Sequence, residues 1–223
     1  MARFILVPGA GGVAWYWHRV VPLLEAAGHE AVAVDLPGDD ERAGLAVYAE
    51  RVLQAIGDRE GSVLVASSLG GFTAPLVCAR TDLQRLVFVN AMIPTPGETA
   101  GDWWGNTGSE AARAEAAWRG GYSEQFDLAT YFLHDVPPEV IAGGESQQRP
   151  QAGCIFREPC RFEAWPQVPM HVIVGRDDRF FPPEFQRRVA RERLGLPVDE
   201  LPGGHLIALA NPQGLVERML TYL

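Results

Sequence analysis

The feature that most constrains this chain is an alternation. Short apolar runs and amphipathic segments take turns from residue 3 to residue 91, and the pattern resumes at residue 170. RFILV (3–7), EAVAVD (30–35), SVLVA (62–66), RLVFVNA (85–91) and MHVIVG (170–175) read as buried strands, and PVDELPGG (197–204) holds a short sixth. The segments 17–29, 44–58, 71–80, 182–195 and 212–223 read as helices. In 44–58, for example, apolar residues fall at 45, 48, 52, 53 and 56, a helical period. Strands that are apolar on both faces must be covered on both faces. The pattern therefore calls for an α/β fold, a mostly parallel six-stranded, doubly wound sheet with right-handed crossovers.

The rhythm breaks at Ile93-Pro94-Thr95-Pro96-Gly97. Residues 93–166 are rich in Trp, Gly, Glu and Ala and carry no apolar strand. They read as a helical cap insertion, with helices at 109–121, 127–135 and 137–146, set into a core formed by 1–92 and 167–223. A chain of 223 residues suits one such core with an insertion.

A net charge of −9 argues against a nucleic-acid partner, whose phosphates demand a basic surface. The first apolar run, Phe4 to Val7, is too short for a secretory signal or a membrane span, so a cytoplasmic protein with no membrane partner is the expectation. Of the three cysteines, Cys78 is expected in the core, and Cys154 and Cys160 are expected as free thiols, with a pairing between these two left open. No spacing suggests a metal site, and no cofactor is expected. The partner that fits is a small molecule, and a homodimer stays open.

The stretch LVASSLGGF (64–72) explains what that molecule meets. A strand that ends in small-x-Ser-x-Gly and runs straight into a helix is the geometry of a nucleophile elbow. The residues two before and two after the serine must be small, because strand and helix pack closely there. Ala66 and Gly70 occupy those places, which makes Ser68 the candidate nucleophile. A serine needs a base, and the base needs an acid to orient it. Among five histidines, His205 lies on a glycine-rich loop after the last strand, PGGHLIALANP. The loop after the fifth strand, GRDDRFF, offers Asp177 and Asp178, one of which can face the histidine. Serine, then acid, then histidine is the chain order of α/β-hydrolases. An oxyanion would be held by the backbone N–H of Leu69 and by that of Ala10 in the first loop, PGAGG.

That first loop has a competing reading. LVPGAGGVA also fits G-x-G-x-x-A, with Gly9, Gly11 and Ala14, and Asp35 ends the second strand, as in an NAD(P)-binding oxidoreductase. The aromatic cluster Trp15-Tyr16-Trp17 sits awkwardly where a pyrophosphate would lie. The dinucleotide reading also leaves Ser68, Asp178 and His205 unexplained.

Taken together, LVPGAGGVAWYWHRVVPLLEAAGHEAVAVDLPG, SSLGGF, GRDDRFFPPEFQ and GGHLIALANP resemble the α/β-hydrolase superfamily over nearly the whole chain. The likeness is to its small single-cap branch of plant methylesterases and hydroxynitrile lyases. In that branch the acid is the third residue after the strand-ending glycine, which implies Asp178, with Asp177 left to stabilise its loop. The branch's first-loop histidine is here Pro8. Where the lyases carry a polar residue after that histidine, and a lysine after the catalytic one, this chain has Gly9 and Leu206. The resemblance therefore implies a Ser68-Asp178-His205 carboxylesterase, and the aromatic residues of the first loop and the insertion suggest a small apolar or aromatic ester. A lyase-like activity or a ligand-binding receptor stands as the alternative. Trp15, Trp17, Trp103, Trp104 and Tyr131 are the candidate pocket wall.

Overall fold

The computed structural model describes residues 1–223. Its strands β1 (Arg3–Val7), β2 (Glu30–Ala33), β3 (Ser62–Ser67), β4 (Leu83–Val89), β5 (Met170–Gly175) and β6 (Asp199–Leu201) form one sheet in the order β2-β1-β3-β4-β5-β6. Every pairing is parallel. The period-two alternation of a strand then sorts the side chains between two cores. Ile5, Val7, Leu64, Ala66, Leu86, Phe88, Val172 and Val174 point to one face, and Phe4, Leu6, Val63, Val65, Val87, Val89 and Ile173 to the other.

Helices cover both faces. α1 (Val21–Ala26), α8 (Ile207–Ala210) and α9 (Pro212–Leu220) close the face of Phe4. α2 (Leu45–Ile56), α3 (Ala74–Cys78), α4 (Ala100–Thr107) and α7 (Pro183–Leu194) close the face of Ile5. No helix is long and apolar enough to cross a membrane. From β1 the chain steps outward to β2, then returns to the opposite side of β1 to form β3. This reversal opens a crevice at the carboxyl ends of β1 and β3, where doubly wound sheets bind ligands.

Two expected helices are shorter than their patterns. The stretch 17–29 begins with one 3₁₀ turn, Ala14–Trp17, and becomes α-helical only at Val21, with Pro22 in the first turn. The stretch 71–80 is a 3₁₀ turn, Ser68–Phe72, followed by α3 with Pro75 near its start. Proline is harmless there because the first N–H groups of a helix have no partner to lose.

Between β4 and β5 lie α4, α5 (Ser109–Gly120), a single π-helical turn at Ala129–Leu133, and α6 (Pro138–Gly144). α4 has no counterpart among the expected helices. Its sequence AGDWWGNT has weak helix propensity. The helix exists because Thr99 Oγ1 accepts the Asp102 N–H (2.9 Å) and Trp103 is fully buried against Phe181 and Phe185.

α7 is fastened to the chain leaving β4 by an ion pair that lies almost wholly out of solvent. Arg193 grips both oxygens of Glu98 and also donates to Ile93 O (2.6 Å). Glu98 takes further bonds from Thr95 N–H (3.1 Å) and Asn106 Nδ2 (2.9 Å). Removing only the cation strands a buried carboxylate. Arg193→Met is expected to cost about 3–5 kcal/mol in a urea titration, and adding Glu98→Gln should recover part of it. A loss below about 1 kcal/mol would show the pair to be solvated.

The turn after β3 holds the residue that the fold strains. Ser68 has φ +49, a left-handed conformation normally reserved for glycine. Ser68→Gly should unfold at higher urea than Ser68→Ala, by about 1 kcal/mol, because only the alanine keeps a Cβ in that conformation. Equal midpoints would mean the turn carries no strain.

Candidate active site

Three loops at the carboxyl edge of the sheet bring the candidate residues together. Ser68 sits on the tight turn after β3, and the packing around that turn explains the small residues that flank it. A Cβ on Gly9 would lie 2.8 Å from Ser68 Cβ. One on Gly70 would lie 2.6 Å from Pro8 O, and one on Gly71 would lie 2.0 Å from Met92 O. The first loop, the elbow and the chain leaving β4 are thus in backbone contact.

Ser68 Oγ lies 3.0 Å from His205 Nε2, and His205 Nδ1 lies 2.8 Å from Asp178 Oδ2. A carboxylate only accepts, so Nδ1 carries the proton toward Asp178. Nε2 is then free to accept the serine O–H. Asp178 Oδ1 accepts the N–H groups of Phe180 and Phe181, both at 2.8 Å. His205 and Asp178 are 1% and 3% exposed, so the pair is withdrawn from water. Phe132, Phe180 and Phe181 stand edge-on to the imidazole with ring centroids 4.9–5.1 Å away.

The neighbouring acid does something else. Asp177 Oδ2 accepts Gly203 N–H (3.0 Å) and pairs with Arg176, clasping the histidine loop from outside. No other histidine approaches the serine. His18 bonds Trp15 O, His29 receives Ala2 N–H, His134 lies beside Asp135, and His171 stacks on Tyr222.

Ala10 and Leu69 line the same cavity as Ser68 and His205. The Ala10 N–H has no acceptor within the chain. The first loop is pinned by Gln151, which accepts Gly11 N–H (2.9 Å) while donating to Gly38 O and Tyr48 Oη (both 3.1 Å). Gly11 and Gly12, at φ +82 and +70, let the loop turn back against Arg149 and Leu36.

Asp35 is committed to its own chain. Oδ1 accepts Ala14 N–H and Oδ2 pairs with Arg149, both at 3.0 Å. Each oxygen already has a partner, Arg149 lies where the ribose hydroxyls would approach, and the glycine loop packs on Ser68. The residues do not fit a dinucleotide.

The cavity measures about 500 Å³, and its wall is mostly apolar. Trp15 and Trp104 line it, joined by Phe126, Phe132, Phe156 and Phe180. Trp17, Trp103 and Tyr131 do not, which corrects the expectation for these three. Each is fully buried in packing. Trp17 belongs to the core on the far face of the sheet. Trp103 donates its indole N–H to Ile93 O (3.1 Å), and Tyr131 donates its hydroxyl to Ser123 O (2.6 Å). Helical spacing cannot tell a side chain that faces the core from one that faces a cavity: the Trp103 and Trp104 rings meet edge to face at 5.4 Å, yet only Trp104 reaches the cavity.

Tyr16 is a wall residue that the sequence patterns did not single out. Its phenol is pushed up to about 12 by burial, so it stays protonated near neutrality. Ser67 Oγ donates to it at 3.4 Å, which accounts for the second serine of the elbow. The cysteines Cys78, Cys154 and Cys160 are free thiols.

Comparison with known proteins places this architecture. A family model described as the alpha/beta hydrolase family matches residues 4–218. A probable esterase, PIR7A of Oryza sativa subsp. indica, is 36% identical over 111 residues, a stretch covering 44% of this chain and 42% of that protein. The match thus spans less than half of that relative's length. Methylesterase 1 of Arabidopsis thaliana is 27% identical over an alignment covering 98% of this chain and 94% of its own. The crystal structure of polyneuridine aldehyde esterase superposes with a TM-score of 0.79 at 22% identity, covering 100% of this chain and 99% of the other. With its six parallel strands and the family match running from β1 into α9, the chain belongs to the alpha/beta hydrolase family.

Proposed function

We propose that the chain is a serine carboxylesterase that acts on a small apolar or aromatic ester through an acyl-enzyme. One observation carries the reading: Ser68 Oγ, the His205 ring and Asp178 form an unbroken hydrogen-bonded chain that opens into an apolar cavity. Relatives named as an esterase and a methylesterase support the same class of chemistry.

In this reading His205 Nε2 takes the Ser68 proton as Oγ attacks the ester carbonyl carbon. The imidazolium that forms is stabilised by Asp178, which stays ionised. The carbonyl oxygen, now an oxyanion, receives the N–H groups of Ala10 and Leu69, each such donor being worth about 3–4 kcal/mol of barrier. Collapse of the tetrahedral intermediate breaks the ester C–O bond, and the leaving alcohol takes the proton from His205. Water then attacks the acyl-serine with His205 as base again, releasing the acid and restoring Ser68.

The lyase alternative lacks an agent. A cyanide leaving group needs a cation beside the histidine, and Leu206 occupies that place. The chain contains no lysine anywhere.

Incubation with a fluorophosphonate probe should label the native chain and Ser67→Ala but not Ser68→Ala. Ser68→Ala should lower p-nitrophenyl ester turnover by about 10⁴-fold. Labelling that persists in Ser68→Ala would place the nucleophile elsewhere.

The pocket correction yields a paired expectation. Trp104→Ala should lower kcat/KM for an aromatic ester by about tenfold, with a smaller loss of thermal midpoint than Trp103→Ala. Trp103→Ala should cost about 3–5 kcal/mol of stability. The reverse assignment of the two effects would contradict the wall described above.

A further inference from the structure

Two buried amides stand behind the triad without touching the cavity. Asn90 follows β4, is fully buried, and holds φ +46. Its Nδ2 donates to Gly204 O and to His205 O, both at 3.0 Å, and its Oδ1 accepts Gly175 N–H at 2.7 Å. Gly175 ends β5, three residues before Asp178, while Gly204 and His205 form the histidine loop. One side chain therefore ties the root of the acid loop to the root of the histidine loop. The strained backbone of Asn90 is what aims it at both.

Gln186, on α7 and 5% exposed, completes the arrangement. Its Nε2 donates to Phe181 O (2.7 Å) and to Asp178 Oδ2 (3.1 Å), and lies 3.3 Å from Asn90 Oδ1. Oδ2 is the oxygen that also receives His205 Nδ1–H. Both carboxylate oxygens of Asp178 are thus filled, Oδ1 by two backbone N–H groups and Oδ2 by His205 and Gln186. Rotating the carboxylate in either direction breaks bonds to fixed partners.

We propose that Asn90 and Gln186 are positioning residues for the reaction, Asn90 holding the acid and histidine loops in register and Gln186 restraining the Asp178 oxygen that faces His205. This rests on the Ser68-His205-Asp178 reading. An amide suits the task because it is uncharged at every working pH. Asp178 then remains the one ionised partner in contact with the imidazole. The other ionisable groups nearby act at the periphery. Asp177 is on Gly203 N–H, Asp135 is on Gly204 N–H with His134 beside it, Tyr16 is across the cavity, and Tyr122, Arg176 and Arg179 are beyond the acid loop.

Removing the Gln186 donor concentrates negative charge on the oxygen that His205 meets, and this favours the protonated imidazole. Steady-state hydrolysis of p-nitrophenyl acetate by the full chain tests the proposal, across pH, with Gln186→Met, Asn90→Gly and Val189→Ala. The last is a buried neighbour on α7 that touches none of the triad. Gln186→Met should move the acid limb of kcat/KM upward by about half a pH unit or more. Asn90→Gly, whose backbone needs no strain to hold that φ, should lower kcat about tenfold with KM within about twofold. Val189→Ala should lower only the thermal midpoint.

If Gln186→Met proves too unstable to assay, the His205 Nδ1–H proton resonance measured in Gln186→Asn gives the same information. The shorter amide falls back from Oδ2, so the resonance should move, whereas a purely structural role leaves it in place. An unmoved acid limb, with kcat and KM falling in step with stability as in Val189→Ala, overturns the positioning role. Native chain that neither hydrolyses the ester nor labels at Ser68 overturns the triad reading itself, and the two failures are distinct.

Discussion

Backbone contact between the first loop and the turn after β3 is the constraint from which the site follows. Gly9 against Ser68, Gly70 against Pro8 and Gly71 against Met92 leave no room for a single added carbon. That closeness forces the strand to turn at Ser68 with a positive φ, which lifts the hydroxyl off the sheet edge. It also brings Ala10 to the wall of the same cavity. The parallel sheet supplies the rest. Carboxyl ends of parallel strands all lie at one edge, so loops distant in the chain meet there.

The site concentrates backbone strain that the rest of the chain confines to glycines. Only Ser68 and Asn90 among non-glycine residues have positive φ, and they follow adjacent strands, β3 and β4. Strained backbone survives where the surroundings over-determine it. Here those surroundings are two apolar cores that hold the strand ends in place. The buried Asp178 and His205 are tolerable because every polar atom facing inward finds a partner. Three phenylalanine edges around the imidazole strengthen those bonds by excluding water.

The sheet is legible in the sequence because strands covered on both faces are largely apolar, and five such runs stand out between helices, while β6 is a short polar strand at the sheet edge. Ser68 is legible because a sharp turn demands small neighbours, and His205 and the two-aspartate loop because each follows a late strand in the order serine, acid, histidine. The choice of Asp178 over Asp177 came from resemblance, and the bond from His205 supplies its physical basis. The parts that were not legible depend on three-dimensional neighbours. α4 forms against the propensities of its own residues because Trp103 is buried, and the same burial removes Trp103 from the pocket. Trp17 and Tyr131 are likewise fully buried in packing, which an aromatic residue's place in the sequence does not reveal. Asn90 and Gln186 left no local signal at all. An asparagine after a strand and a glutamine inside a helix are ordinary until the fold brings them to Asp178.

The central claim is that Ser68 Oγ forms a covalent bond with the acyl group during turnover. The direct measurement is mass spectrometry of the full chain, acid-quenched within milliseconds of mixing with excess p-nitrophenyl ester and then mapped by proteolysis. A mass increase equal to the acyl group, on the peptide carrying Ser68 and growing at the rate of nitrophenol release, is the predicted result. Ester turnover with every peptide unmodified, or with the adduct on Ser67 or a cysteine, would contradict the account.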